Sequence, residues 1–161
     1  MKEKISALLV HDQPEPLRAL EHALRSQSIK TLRARNYQEA MRVLGQENPP
    51  HLVFTDTALP DGTWADVLAL ASRGRQPANV IVVGRLVDTR FYIEVIEKGA
   101  FDFIVPPFAA SDLTHVVRCA SDSVVSHREA LARARKSPQS ALLPPFIAHG
   151  TALTAGGPRV G

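Results

Sequence analysis

The stretch His51-Leu-Val-Phe-Thr-Asp-Thr-Ala-Leu-Pro-Asp-Gly62 decides how the rest of the chain is read. Leu52 to Phe54 is a short apolar run bounded by turn residues, the pattern of a buried strand. It ends on a carboxylate, Asp56, and Pro60-Asp61-Gly62 then supplies a turn. In an open α/β sheet, ligands are handled at the carboxyl ends of the strands. An acid placed there serves as nucleophile, metal ligand or buried structural acceptor, or it merely caps the next loop. The neighbouring segments choose among these.

Upstream, Ile5 to Val10 is a second apolar run with His11-Asp12 at its end. Pro14 suits the first turn of a helix in which Leu17, Leu20, Ala23 and Leu24 repeat at helical spacing. Ile29 to Ala34 reads as a weaker, alternating strand. Asn36 with Glu39 forms a capping-box variant that opens a helix through Ala40, Val43 and Leu44, ended by Asn48-Pro-Pro50. Downstream, Trp64 to Ala71 predicts a third helix and Val80 to Val83 a fourth strand, broken by Gly84. Thr89 to Lys98 predicts a helix containing Ile93, Val95 and Ile96, with Gly99 as its left-handed stop. Phe101 to Val105 is the fifth strand, ending at Pro106-Pro107. Ser111 is placed to cap a last helix with Leu113, Val116, Val117, Ala120 and Val124 on one face. Five strand–helix alternations with short connections argue for a parallel sheet covered on both sides.

The chain has 161 residues, 45% of them apolar, which fits one domain and some excess. No run approaches the length of a membrane span, and no signal peptide precedes the first strand. A single cysteine, Cys119, excludes an intrachain disulfide and any multi-cysteine metal site, and suits a cytoplasmic setting. The net charge of +3 is local. Residues 1–125 hold 14 Lys and Arg against 15 Asp and Glu, whereas 126–136 hold Arg128, Arg133, Arg135 and Lys136 against Glu129. A near-neutral body with a basic helical extension is a poor nucleic-acid binder by charge. Residues 137–161, with four Pro and four Gly, read as a loose tail, and its apolar clump Leu142 to Ile147 as a segment packed on its own domain, a docking peptide being the alternative.

Four segments together resemble the receiver domain of bacterial two-component response regulators. They are Leu8-Leu-Val-His-Asp-Gln-Pro14, Phe54-Thr-Asp-Thr-Ala-Leu-Pro-Asp-Gly62, Val80-Ile-Val-Val-Gly84 and Lys98-Gly-Ala-Phe-Asp-Phe-Ile-Val-Pro-Pro-Phe108. The resemblance covers residues 4–125, and the site positions 12, 56, 84 and 106 fall where that family places them. It implies a flavodoxin-like, doubly wound five-stranded sheet of order 2-1-3-4-5, with those positions gathered at one edge. It also implies phosphorelay chemistry, with Asp56 as phosphoacceptor for a histidine kinase or phosphotransfer protein. By the same resemblance Asp12, Asp56 and the Ala58 carbonyl are Mg²⁺ ligands, and Phe103 is the aromatic whose rotamer reports the switch.

The departures from the family matter as much. His11 stands where the family has the first acid, Gly84 where it has a hydroxyl, and Pro106 where it has a lysine. Phosphoryl transfer is catalysed by positioning and charge neutralisation, so each loss weakens the switch. His11 is a doubtful metal ligand, leaving two carboxylates for Mg²⁺, which bind it weakly. Losing one acid and one cation together leaves the resting charge of the site at about −2, as in the family. Arg85 is expected to face solvent, the alternative being that it folds back as the missing cation. Pro106-Pro107 is a candidate for the cis bond common in the family at this place.

The expectation is an atypical receiver that signals by binding partners and has no catalysis of its own beyond self-phosphorylation at Asp56. A pseudo-receiver acting as a phosphorylation-independent interaction module is the alternative. A small flavodoxin-like phosphatase or hydrolase using Asp56 is the remote one. His11-Asp12-Gln13 does not give the Asp-x-Asp of haloacid-dehalogenase-type phosphatases, and no Gly-rich phosphate loop or Ser-centred elbow is present. With no second folded domain expected after residue 125, output is assigned to the face made by the fourth helix, fifth strand and fifth helix. That face is open to a protein partner or a homodimer, with neither nucleic acid nor membrane expected.

Overall fold

A computed structural model describes residues 4–136. The chain alternates strand and helix: β1 (Ser6–Val10), α1 (Leu17–Ser26), β2 (Lys30–Ala34), α2 (Tyr37–Leu44), β3 (Leu52–Asp56), then a small hairpin of β4 (Ala58–Leu59) and β5 (Gly62–Thr63). It continues with α3 (Trp64–Ser72), β6 (Asn79–Val83), α4 (Thr89–Glu97), β7 (Asp102–Ile104) and α5 (Ala110–Lys136). Five strands form one parallel sheet in the order β2-β1-β3-β6-β7, the 2-1-3-4-5 order expected when the hairpin is left out. Contacts divide the chain into a first unit, Met1–His127, and a second beginning at Arg128; the sheet and the site belong to the first. The apolar clump 142–147 and the rest of the tail lie outside the described residues.

Two cores follow from the period-2 alternation of the strands. Ala7, Leu9, Leu52, Phe54, Ile81 and Val83 meet α1 and α5 through Leu17, Leu20, Leu113 and Val117. Their neighbours Leu8, Val10, Val53, Val80 and Val82 point the other way, onto Ala40, Leu44, Val67, Ala71 and Val95 of α2, α3 and α4. The central strand β3 is buried along its whole length, so Asp56 inherits burial from its strand.

Local expectations fared unevenly. Gly99 ends α4 at φ 109°, a backbone conformation that a side chain resists. Asn36 accepts from the Glu39 N–H at 2.8 Å, but the Glu39 carboxylate returns to the Arg35 N–H instead of closing the box. Helix α1 begins at Leu17 behind Pro16 rather than at Pro14. The first turn of α5 is anchored by the Leu113 N–H on Ala109 O, which puts Ser111 inside the helix instead of at its cap. Within α4, Val95 is buried and Ile93 is exposed.

The edge strand β2 is fastened by a buried acid. Glu21 of α1 accepts from Arg33 Nη2 at 2.6 Å, Arg25 Nη2 at 3.0 Å and Thr31 Oγ1 at 3.4 Å. The Arg33 hydrogen bond, against an opposing push from burial, holds the Glu21 carboxyl below its ordinary 4.5. A lowered folded-state value means ionisation adds stability above the unfolded value and is lost as pH falls through the folded one. Denaturation midpoints measured from pH 7 down to about 3 are expected to fall for the wild type. Glu21→Gln should start about 1–3 kcal/mol lower and show a flatter acid limb.

Candidate functional site

Because the strands are parallel, their carboxyl ends share one edge of the sheet. The residues just past them are His11 and Asp12 after β1, Asp56 closing β3, Gly84 after β6, and Val105 and Pro106 after β7. Register carries this through, with Val10 opposite Thr55, Asp56 opposite Val83, and Val83 opposite Ile104. Positions 11, 12, 56, 84 and 106, singled out in the sequence, therefore lie along one rim.

Asp56 is the buried member, its side chain only 5% exposed. Oδ1 accepts the Thr57 N–H at 2.7 Å, and Oδ2 accepts Arg85 Nη2 at 3.0 Å. The other guanidinium arm of Arg85 donates from Nη1 to the Glu15 carbonyl at 3.0 Å. Arg85 thus bridges the β1–α1 and β3 ends, contrary to the expectation that it faces solvent. The reason is electrostatic. A carboxylate sealed from water without a partner is costly by several kcal/mol, and a guanidinium one residue past the neighbouring strand can reach it while keeping half its surface wet. Its charge brings the resting site to about −1 rather than −2.

Asp12 is exposed, with only Gln13 Nε2 at 3.5 Å. It lines a cleft of about 280 Å³ together with His11, Pro14, Arg33, Arg35 and Glu39. His11 Nδ1 lies 2.7 Å from the Gln13 carbonyl, which can only accept, so Nδ1 donates and the neutral ring carries its lone pair on Nε2. That Nε2 is buried without a hydrogen-bond partner among the described residues. Ala58 sits in the hairpin, paired with Thr63. Asp61, read only as a turn residue, caps α2 by accepting from the Tyr37 and Gln38 N–H groups at 2.7 and 3.2 Å.

Gly84 and Phe103 form the second half of the site. A Cβ built on Gly84 would meet Phe103 Cζ and lie 2.6 Å from Cε1, so the ring fills the space that any side chain at position 84 would need. Phe103 is edge-on to Phe91, with centroids 5.3 Å apart, and packs against Tyr92 at 6.3 Å; Phe91 is in turn edge-on to Trp64. The Gly84 N–H is committed to Ile104 O at 2.9 Å and is not available to a ligand. Pro106 offers no cation, and the Pro106–Pro107 bond is cis.

The model of the response regulator receiver domain matches residues 7–118, most of the chain. The chain belongs to this family. It is similar to the transcriptional regulatory protein KdpE of Mycobacterium tuberculosis, 32% identical over 113 residues, covering 70% of this chain and 49% of that one. It is likewise similar to the response regulator protein PilR of Pseudomonas aeruginosa, 32% identical over 114 residues, 71% of this chain and 25% of that one. The chain therefore spans about half or less of these relatives. Among solved structures it resembles the signal receiver domain of a LuxO repressor protein from Vibrio parahaemolyticus. There the TM-score is 0.68 at 22% identity, over 81% of this chain and 98% of that one. The receiver domain, a module of two-component signalling, is thus the frame for the site.

Receiver domains of this family typically use Mg²⁺ beside the phosphoacceptor, so the donor set here can be tested for it. Mg²⁺ takes oxygen ligands and demands near-octahedral geometry. Both Asp56 oxygens already have donors, Asp12 stands in solvent, and the first acid is an imidazole whose Nδ1 is engaged. These residues do not fit a resident Mg²⁺ while Arg85 is in place.

Gly84 has no left-handed backbone to excuse it, since Gly99 is the positive-φ glycine among the described residues. On chain entropy alone Gly84→Ala would stabilise by about 0.4–1 kcal/mol. Overpacking costs about 1–3 kcal/mol, and the ring contact makes it win. Gly84→Ala is expected to destabilise by about 1 kcal/mol net, and in a Phe103→Ala background to be neutral or stabilising, as read by urea denaturation of the four proteins.

Proposed function

We propose that this receiver domain rests in one state and signals as a protein-interaction module whose output surface does not wait for phosphorylation. The observation that carries this reading is the Phe103 ring lying in the space left by the missing side chain of Gly84. A switch needs two arrangements that a modification tells apart, and a modification shifts their balance only by its differential contacts. With Gly84 and Pro106 in place, a phosphoryl group on Asp56 finds neither a hydroxyl nor a lysine at those two positions. Its differential contacts are few, and Phe103 already has its packing partners.

Asp56 remains the residue on which a histidine kinase or phosphotransfer protein would act, since it closes the central strand. Labelling there should be poor, because Arg85 holds the attacking oxygen, and Mg²⁺ should assist only weakly. No catalysis beyond that is assigned. The output surface is the face of α4 and β7 with the first part of α5. Phe103, Tyr92, Val87, Thr89 and Val105 line a cleft of about 210 Å³ there. Leu86 and Val87 beside it are 79% and 82% exposed. An apolar surface of this kind suits a protein partner, which includes a second copy of the chain, better than nucleic acid. The basic residues Arg133, Arg135 and Lys136 favour an acidic one. Among the described residues no helix is long and apolar enough to cross a membrane, and a cytoplasmic setting is the one two-component signalling requires.

The test is binding. Once a partner is captured and identified, its Kd is measured for wild type, Asp56→Ala, Gly84→Thr and a charge-reversed Arg133/Arg135/Lys136 variant. Asp56→Ala should stay within about twofold of wild type. Gly84→Thr, which must expel the ring, and the charge reversal should each weaken binding by about tenfold. Loss of binding in Asp56→Ala alone would make this a conventional phospho-switch.

A further inference from the structure

The ion pair at the rim carries an inference about metal use. Arg85 is held at both ends of its guanidinium, Nη2 on Asp56 Oδ2 and Nη1 on Glu15 O, each at 3.0 Å. The remaining Asp56 oxygen accepts the Thr57 N–H. A planar fork with two fixed acceptors is a positioned cation rather than a surface charge that happens to pass nearby. We propose that Arg85 is the resident counter-ion of Asp56, a tethered guanidinium doing the work of a metal ion, so that the domain keeps its acidic centre closed without Mg²⁺ and binds that ion more than weakly only when Arg85 is removed.

Three facts argue for this over a metal site that merely tolerates an arginine. The tether makes Arg85 an intramolecular competitor, present at an effective concentration of roughly millimolar or more, whereas Mg²⁺ gives up its water reluctantly and needs several oxygens placed around it. The carboxylates left to it are Asp56, already paired, and Asp12, exposed and lining a cleft in which Arg33 and Arg35 also stand. Among the described residues no group of three or more Asp, Glu, His or Cys is arranged to hold a metal ion. The position at which the family has its first acid holds His11, with one nitrogen bonded to Gln13 O.

The inference rests on Asp56 being the centre of the site but not on how the output face behaves, so its test involves no partner. MgCl₂ is titrated into wild type, Arg85→Met and Arg85→Lys while the backbone amides of Asp12, Gln13 and Thr57 are followed by ¹H–¹⁵N NMR. Arg85→Met is expected to show saturable shifts with an apparent affinity at least about tenfold tighter than wild type, the scale of one charge-assisted hydrogen bond. Arg85→Lys, which keeps the charge but loses the fork, should fall between them. Equal affinity in wild type and Arg85→Met, or no saturable shift in either, overturns the proposal. A second reading needs no loss of Arg85. In wild type its guanidinium protons should exchange slowly with water, and Asp56→Asn should release them; fast exchange in wild type overturns the proposal as well. Either failure would leave the packing of Phe103 on Gly84 untouched.

Discussion

A carboxylate sealed at the end of a fully buried strand has to find its partners inside the protein. Asp56 is in that position because β3 lies at the centre of a sheet covered on both faces, and water cannot compensate it from above or below. Receivers meet this constraint with a metal ion and a lysine, both of which sense what happens at the acid. Here it is met by one guanidinium that arrives from the end of β6 and also fastens the β1–α1 connection. The pair is worth on the order of 1–3 kcal/mol as a hydrogen bond to a charged group, at the lower end because Arg85 is half in water. That suffices to keep the acid occupied and is far from enough to drive a rearrangement.

The glycine next to Arg85 acts on the other side of the same loop. Its missing Cβ lets Phe103 lie against the backbone, and the ring then joins Phe91, Tyr92 and Trp64 in an edge-on series. Each such contact adds about 0.5–1.5 kcal/mol beyond burial, so moving the ring out gives up more than one of them. Adjacent residues thus quiet the two halves of the device: Arg85 answers the charge and Gly84 removes the obstacle. On the proposed reading, a fold built to toggle is left with one favoured arrangement.

Much of this was legible in the sequence because the governing signals are local. Apolar runs of strand length alternating with helical periodicity gave a parallel sheet covered on both faces, the resemblance to receivers implied its strand order, and Pro60-Asp61-Gly62 marked a turn that became a hairpin. The substitutions at 11, 84 and 106 stood out against the spacing of the family. Arg85 was misjudged because a single arginine in a loop carries no pattern, and its partner lies 29 residues away in sequence. Ring packing at Gly84 was invisible for a related reason: a glycine announces an absence, and only the fold says what moves in. Asp61 and Ser111 show the same limit at helix ends, where a capping side chain can come from a distant turn and an expected cap can fall inside the helix.

Phe103 is expected to occupy the Gly84 position whether or not Asp56 carries a phosphoryl group. The most direct measurement is the NOE between the Phe103 ring protons and the Gly84 Hα protons in selectively labelled protein, recorded before and after incubation with a small phosphodonor and Mg²⁺. Intact mass gives the extent of labelling in the same samples. A strong NOE of unchanged intensity is expected in both. An NOE that is weak in the untreated protein and appears in proportion to labelling would show that the ring still switches, and would contradict that expectation.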